Sequence, residues 1–338
     1  MKPKTVGKLH SCQLILLILF PILTALVCLA IGRMNVPIGD VFRILWNGML
    51  GKRENTTAAA AVLSSRLPRV LTALAVGAGL SAAGAAFQSL FANPLATPDT
   101  VGVASGSSFG AALGILLGLG SIGTQGFSFL AGIGAVVLTW VLGSGKNRKL
   151  SSVVLAGIMV GSLFSAMVSL VKFTADSENE LPAITYFLMG TFGSSSFKKL
   201  SVGIVPILAG FITLLLIRWR LNLLPYSEDE VRSFGVNLKK LRIVTLIAAT
   251  LMTSASVAMC GQVGWIGLIT PHMCRMAFGN NHRSLIPASA LIGAGFMVIV
   301  DTLARSLTKT EIPVSVLTAV IGAPFFLYLM RKKGGWSL

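Results

Sequence analysis

The sequence predicts an all-α, polytopic membrane protein with about ten transmembrane helices, organised as one domain over residues 1–338. Three observations carry this. The chain is 54% hydrophobic and only 12% charged, with a mean hydropathy of +0.81, whereas a soluble domain carries about 25% charged residues. The charges are bunched, so charge-free intervals of membrane-spanning length separate them. The basic residues are also unevenly shared between alternate loops.

The elements follow in chain order. Residues 11–32, between His10 and Arg33, form the first span. Lys2, Lys4 and Lys8 before it imitate a signal peptide. The apolar stretch exceeds the roughly 7–15 residues of such a core, so an uncleaved helix is expected. The loop at 33–65 contains an amphipathic segment at 36–46, which suits the membrane interface. Residues 70–98 lie between Arg69 and Asp99 and give the second span. The uncharged run 100–145 holds two helices turning at 118–123. Single spans follow at 150–171 and 200–217. Residues 243–274 hold a helix pair broken near 261–264, and spans at 284–300 and 312–330 complete the set. The 36 glycines include the small-residue stretch 77–86, which lets helices approach closely in lipid. No short-period repeat or soluble linker is visible.

A net charge of +17 would suggest nucleic acid in a soluble chain. Here the cations sit in short loops, so nucleic acid is excluded and membrane lipid is the expected surroundings. Placing both termini in the cytoplasm puts the clusters at 146–149, 218–242, 275–283 and 331–333 on that side, as the positive-inside bias requires. Cys12, Cys28, Cys260 and Cys274 lie in or beside apolar runs without paired spacing, so neither a disulfide nor a metal site is expected.

Few polar residues interrupt the spans. Arg66 and Arg69 share a helix face at the outer end of the second span, and Arg305 ends the ninth on the same side. Such residues either snorkel at the membrane edge or offer fixed charges to carboxylates of an extracellular partner. Asp301 is the only acid read inside a span, a functional candidate by position. Arg305 stands at i+4, the favourable ion-pair spacing, so a structural pair is expected. The longest cytoplasmic loop, 221–242, contains Glu228, Arg232 and Gly235, which fit a short helix ended by glycine. Asn93 and Leu95 flank Pro94 at the inner end of the second span, where the helix must stop. His272 has no thiol or carboxylate at ligand spacing, so a structural hydrogen-bonding role is expected. Gly143-Ser144-Gly145-Lys146 resembles half a phosphate loop, but Trp140 replaces the first glycine, Asn147 replaces Ser or Thr, and a membrane span precedes it. No ATPase site is expected on this chain.

Several segments together resemble the FecCD-type permease family of bacterial ABC importers for ferric siderophores, haem or cobalamin. They are Arg66-Leu67-Pro68-Arg69, Asn93-Pro94-Leu95-Ala96-Thr97-Pro98-Asp99, Leu155-Ala156-Gly157, Gly267-Leu268-Ile269-Thr270-Pro271-His272 and Glu311-Ile312-Pro313 through Gly322-Ala323-Pro324. They occur in the family's order across about residues 36–330. The resemblance implies a type II ABC importer permease in the bacterial plasma (inner) membrane, moving an iron-siderophore-type chelate. Its partners would be a second permease, identical or paralogous, two separate ATPase subunits and an extracellular or periplasmic substrate-binding protein. It assigns binding-protein docking to Arg66, Arg69 and Arg305, ATPase coupling to the loop with Glu228, Glu230, Arg232 and Gly235, and the inner gate to Asn93, Leu95, Ser151 and Ser152. It assigns no catalytic residue, metal or cofactor. The family usually shows Gly-Glu and Ala-Arg in the coupling loop, where this chain has Ser227-Glu228 and Val231-Arg232. The alternative is an ion-coupled secondary transporter, which needs intramembrane ionisable groups or broken helices. A channel would need a charged ring or filter loop, and none is visible.

Overall fold

A computed structural model describes residues 11–32, 34–52, 56–143 and 150–332. The N-terminal lysines, residues 144–149 with most of the half phosphate loop, and the last basic residue of the 331–333 cluster lie outside the described residues. The fold is a helical bundle: α1 (Ser11–Ala30), α2 (Ile38–Met49), α3 (Thr57–Ala60), α4 (Leu67–Leu90), α5 (Val103–Leu116), α6 (Gly120–Gly143), α7 (Leu150–Thr174), α8 (Glu180–Leu188), α9 (Phe197–Ile217), α10 (Glu228–Ser233), α11 (Leu238–Cys260), α12 (Ile266–Phe278), α13 (His282–Ser306) and α14 (Val314–Lys332). Among the described residues, 7 helices are long and apolar enough to cross a membrane. The shorter α5, α12 and α14 bring the crossings to the expected ten.

Charge-free intervals mark apolar depth rather than helix limits. The second span was expected over 70–98, yet the rod containing it runs continuously through Thr57–Leu90. Thr56 caps its start by accepting from Ala59 N at 3.1 Å. Pro68, in the first turn of α4, has no N–H to donate, and the preceding residues Ala61–Arg66 wind as π-helix. The amphipathic segment forms α2, with Val41 and Ile44 buried and Phe42 and Trp46 exposed.

A repeat invisible to a short-period search organises the bundle. Helices α4–α7 have 24, 14, 24 and 25 residues, and α11–α14 have 23, 13, 25 and 19. The two groups run in opposite senses. Packing is reciprocal: α4 lies against α12 and α13, while α11 lies against α5 and α6. The second member of each group is a half-helix of about 20 Å, too short for a roughly 30 Å hydrocarbon core. Non-helical chain supplies the remaining depth. Each half-helix starts at a residue with positive φ, Gly102 at +76° and Trp265 at +68°. Inverted repeats with discontinuous helices meeting inside the membrane are a recurrent transporter architecture.

Backbone contacts hold the groups together. A Cβ on Gly77 would lie 2.3 Å from the Gly293 carbonyl oxygen, and one on Gly84 would lie 1.9 Å from that of Gly267. Glycine therefore lets α4 touch α13 and α12 without a side-chain layer between them. Gly84→Ala should lower the unfolding temperature of the purified protein, at a cost of about 1–3 kcal/mol. Gly134→Ala, in α6 with nothing within 4 Å, should leave the temperature unchanged or raise it through alanine's helix preference. Thermal unfolding of the two variants side by side checks the contrast.

Candidate functional site

Polar chemistry concentrates at the two ends of the bundle and at the junction of the half-helices. At the end where α1 finishes and α4 begins, the sequence-predicted arginines converge. Arg66, Arg69 and Arg305 are only 6%, 8% and 8% exposed, and all three side chains turn inward. Arg69 Nε donates to both carboxylate oxygens of Asp301 at 3.0 Å, and Nη2 to Oδ1 at 2.8 Å. Its Nη1 and Nη2 also donate to Glu311 at 2.8 and 3.0 Å. Arg69, not Arg305, is therefore the main partner of Asp301. Arg305 Nε stays 3.9 Å from that carboxylate because its Nη2 is drawn to the carbonyl of Cys28. Arg66 donates to the carbonyls of Leu29 and Ala30 at 2.8 and 3.1 Å, and to Met34. These carbonyls belong to the last turn of α1 and the segment after it, where helical partners run out and cations are favoured. Two arginines from other helices thus cap α1. Glu311 had no assigned role in the sequence, because only the fold brings residue 311 to residue 69.

At the opposite end, α10 projects as a short charged helix. Ser227 Oγ accepts from Glu230 N at 3.4 Å, and Glu230 Oε2 accepts from Ser227 N at 2.9 Å and from Ser227 Oγ at 2.8 Å. This is a capping box, so Glu230 is occupied within its own helix, while Glu228 and Arg232 line a cavity of about 270 Å³ with Gly235, Asn237 and Lys239. Gly235 takes the left-handed φ of +71° that ends the helix. The chain leading into α10 is anchored: Asn222 Oδ1 accepts from His282 N at 3.0 Å and lies 2.9 Å from His282 Nδ1. That contact ties the α9–α10 segment to the start of α13. His272 faces the edge of Phe326 at 6.0 Å.

Asn93 builds the turn after α4. Its Oδ1 accepts from Leu95 N at 2.9 Å, and the Leu95 side chain is exposed. Ser151 and Ser152 open α7 beside the end of α6, where Gly143 meets the backbone of Ser152 and Val153. Each pair has its own surroundings, and the structure shows no hydrogen bond joining them among the described residues.

Beyond Leu95 the chain turns back into the bundle. Thr97, Pro98 and Asp99 share a cavity of about 40 Å³ with Leu80, Gln262, Trp265 and Gly267. Leu80 lies ten residues before the end of α4, so Asp99 is a second acid within the bundle's depth, beside Asp301. The interval reading missed this because it took Asp99 as the boundary of a span.

Two outcomes follow from these ends. Asp301→Asn should destabilise the protein by up to about 3–5 kcal/mol, since Glu311 alone is then left to balance Arg69 and Arg305 and part of their buried charge loses its partner; thermal unfolding in detergent measures it. At α10, hydrogen bonds from the Ser227 backbone N–H and hydroxyl hold the Glu230 carboxyl below the usual glutamate value. The folded-state value is depressed, so its contribution is present above the unfolded value and is lost as pH falls through the folded one. Hydrogen-exchange protection at α10, taken against the intrinsic rate at each pH, should fall in that acidic window, and should already be low at neutral pH in Ser227→Ala.

The family profile described as the FecCD transport family matches residues 17–332. The molybdate import system permease protein of Haemophilus influenzae is 40% identical over 95% of this chain and 96% of its own. The probable iron chelatin transport system permease protein of Helicobacter pylori is 35% identical over 86% and 88%. A solved inward-facing ABC transporter of metal-chelate type superposes with a TM-score of 0.87 at 38% identity, covering 96% of this chain and 100% of that one. With a repeat built on half-helices, a capped charged helix at one end and nearly the whole length matched, the chain belongs to the FecCD transport family and is a membrane-spanning ABC importer permease.

Proposed function

We propose that this permease imports an iron-siderophore-type chelate through the plasma membrane of a bacterium, with both termini and α10 in the cytoplasm and the arginine cluster outside. The observation that carries the reading is α10: a capped helix anchored through Asn222 to α13, with Glu228 and Arg232 beside a cavity. Such a helix can pass a push from an ATPase subunit to the transmembrane helices. The basic-residue bias supports its cytoplasmic placement. Two ATPase subunits would sit below and a second permease alongside, with the solute path between the permeases. Asn93, Leu95, Ser151 and Ser152 would border its inner opening.

The arginine cluster is the proposed docking point for a substrate-binding protein. Arg69 and Arg305 face the carboxylates of Asp301 and Glu311, while Arg66 donates to backbone carbonyls alone, so its positive charge would attract an incoming carboxylate. Along α7, no charge stands between Ser151 and Val171. The exposed serines Ser162 and Ser169 turn their hydroxyls back to carbonyls of their own helix, a wall that suits a bulky solute. Molybdate is the second reading, favoured by the cargo of the 40% identical relative.

A deletion strain should lose uptake of radiolabelled ferric siderophore, and Glu228→Ala with Arg232→Ala should fail to restore it while the protein stays in the membrane. Loss of molybdate uptake alone would select the second reading. Uptake that collapses with a protonophore at constant ATP would instead favour the ion-coupled transporter.

A further inference from the structure

A cavity of about 640 Å³ opens between the α5–α6 hairpin and α8, beside the segment that leads into α9. Ile115, Ala183, Phe187 and Ala258 give it apolar walls. One cation lines it: Lys199, in the first turn of α9 and only 8% exposed. Its Nζ donates to Ser194 Oγ at 2.9 Å. Among the described residues, no carboxylate stands within ion-pair distance of it. An ammonium withdrawn from water onto one neutral hydroxyl lacks a counter-charge. The first turn of α6 meets the same space through Gly120 and Ser121 and carries no acid, so the positive end of a 24-residue helix adds to the lysine.

We propose that this cavity binds an amphiphilic anion, with an oxyanionic head group at Lys199 and an apolar body along the Ile115 and Phe187 wall. The volume falls in the roughly 300–1,000 Å³ range of small-molecule sites, far beyond what a bare tetrahedral oxyanion fills. One ammonium and one helix end suit a single anionic group, and the rest of the lining suits hydrocarbon or aromatic surface. Two sources share this chemistry: an acidic lipid of the adjoining leaflet, or an anionic organic metal chelate. The second source rests on the import reading above; the first stands without it.

The test uses the assembled permease–ATPase complex in phosphatidylcholine nanodiscs, as wild type, Lys199→Gln, Lys199→Arg and Ala183→Trp. The last variant sets a bulky ring at the exposed mouth of the cavity, where Ala183 stands, and leaves the lysine in place. One arm adds phosphatidylglycerol and counts retained lipid by native mass spectrometry. A second measures equilibrium binding of a ferric hydroxamate siderophore that carries an acyl chain and one free carboxylate, and a third that of sodium molybdate. Wild type should retain phosphatidylglycerol or the siderophore at least about tenfold more tightly than Lys199→Gln, a difference of about 1.4 kcal/mol. Lys199→Arg should restore binding, and Ala183→Trp should lose it. Whichever probe is retained identifies the source. Equal binding in wild type and Lys199→Gln, retention of neither amphiphile, or molybdate binding that is lost in Lys199→Gln yet kept in Ala183→Trp would overturn the proposal. If Lys199→Gln does not assemble, wild type against Ala183→Trp decides. Loss of phosphatidylglycerol retention in a variant with normal uptake would concern this site alone, whereas failed uptake with retained lipid would concern the import reading.

Discussion

Arg69, clamped between Asp301 and Glu311, is the contact on which one end of the bundle depends. Its planar donors meet two carboxylates from different segments, a geometry lysine cannot reproduce. None of these charges would be tolerable so far from water alone. Together they fasten α4 to α13 and to the turn before α14. The neighbouring arginines then extend the clamp to α1 by supplying donors to carbonyls that its last turn cannot satisfy. Charge balance and helix capping are one arrangement here.

Deeper in the bundle the logic changes from charge to size. Gly77 against Gly293 and Gly84 against Gly267 bring backbones into contact, and hydroxyls such as Thr245 and Thr253 bond back to their own helices. Without a hydrophobic drive between helices in lipid, such close packing supplies the attraction. The two inverted groups meet along these contacts, so the half-helices α5 and α12 are held from both sides although neither spans the membrane alone.

Much of the architecture was legible in the sequence because the membrane leaves few choices. The ten crossings, the break near 261–264 and the charged loop helix all follow from charge spacing and glycine. Helix limits were less legible. Pro68 and Arg69 read as the edge of a span, yet the helix begins at Thr57, since protein surroundings rather than lipid receive those residues. The arginines were visible as a group, but not their inward turn, because Asp301 and Glu311 lie more than two hundred residues away. Asp99 read as the boundary of a span because no local signal marks a chain that turns back into the bundle. Glu230 read as a member of the coupling loop, and Ser227 three residues earlier was the available clue that it closes a capping box instead of projecting outward.

The capping of α1 also bears on how the protein is made. Arg66 can reach the α1 carbonyls after only 36 or 37 further residues of synthesis. The second cap, from Arg305 to Cys28, spans 277 residues and cannot form until α13 has emerged. The two caps of α1 therefore close at very different separations along the chain, one within the neighbouring segment and one only once α13 is in place.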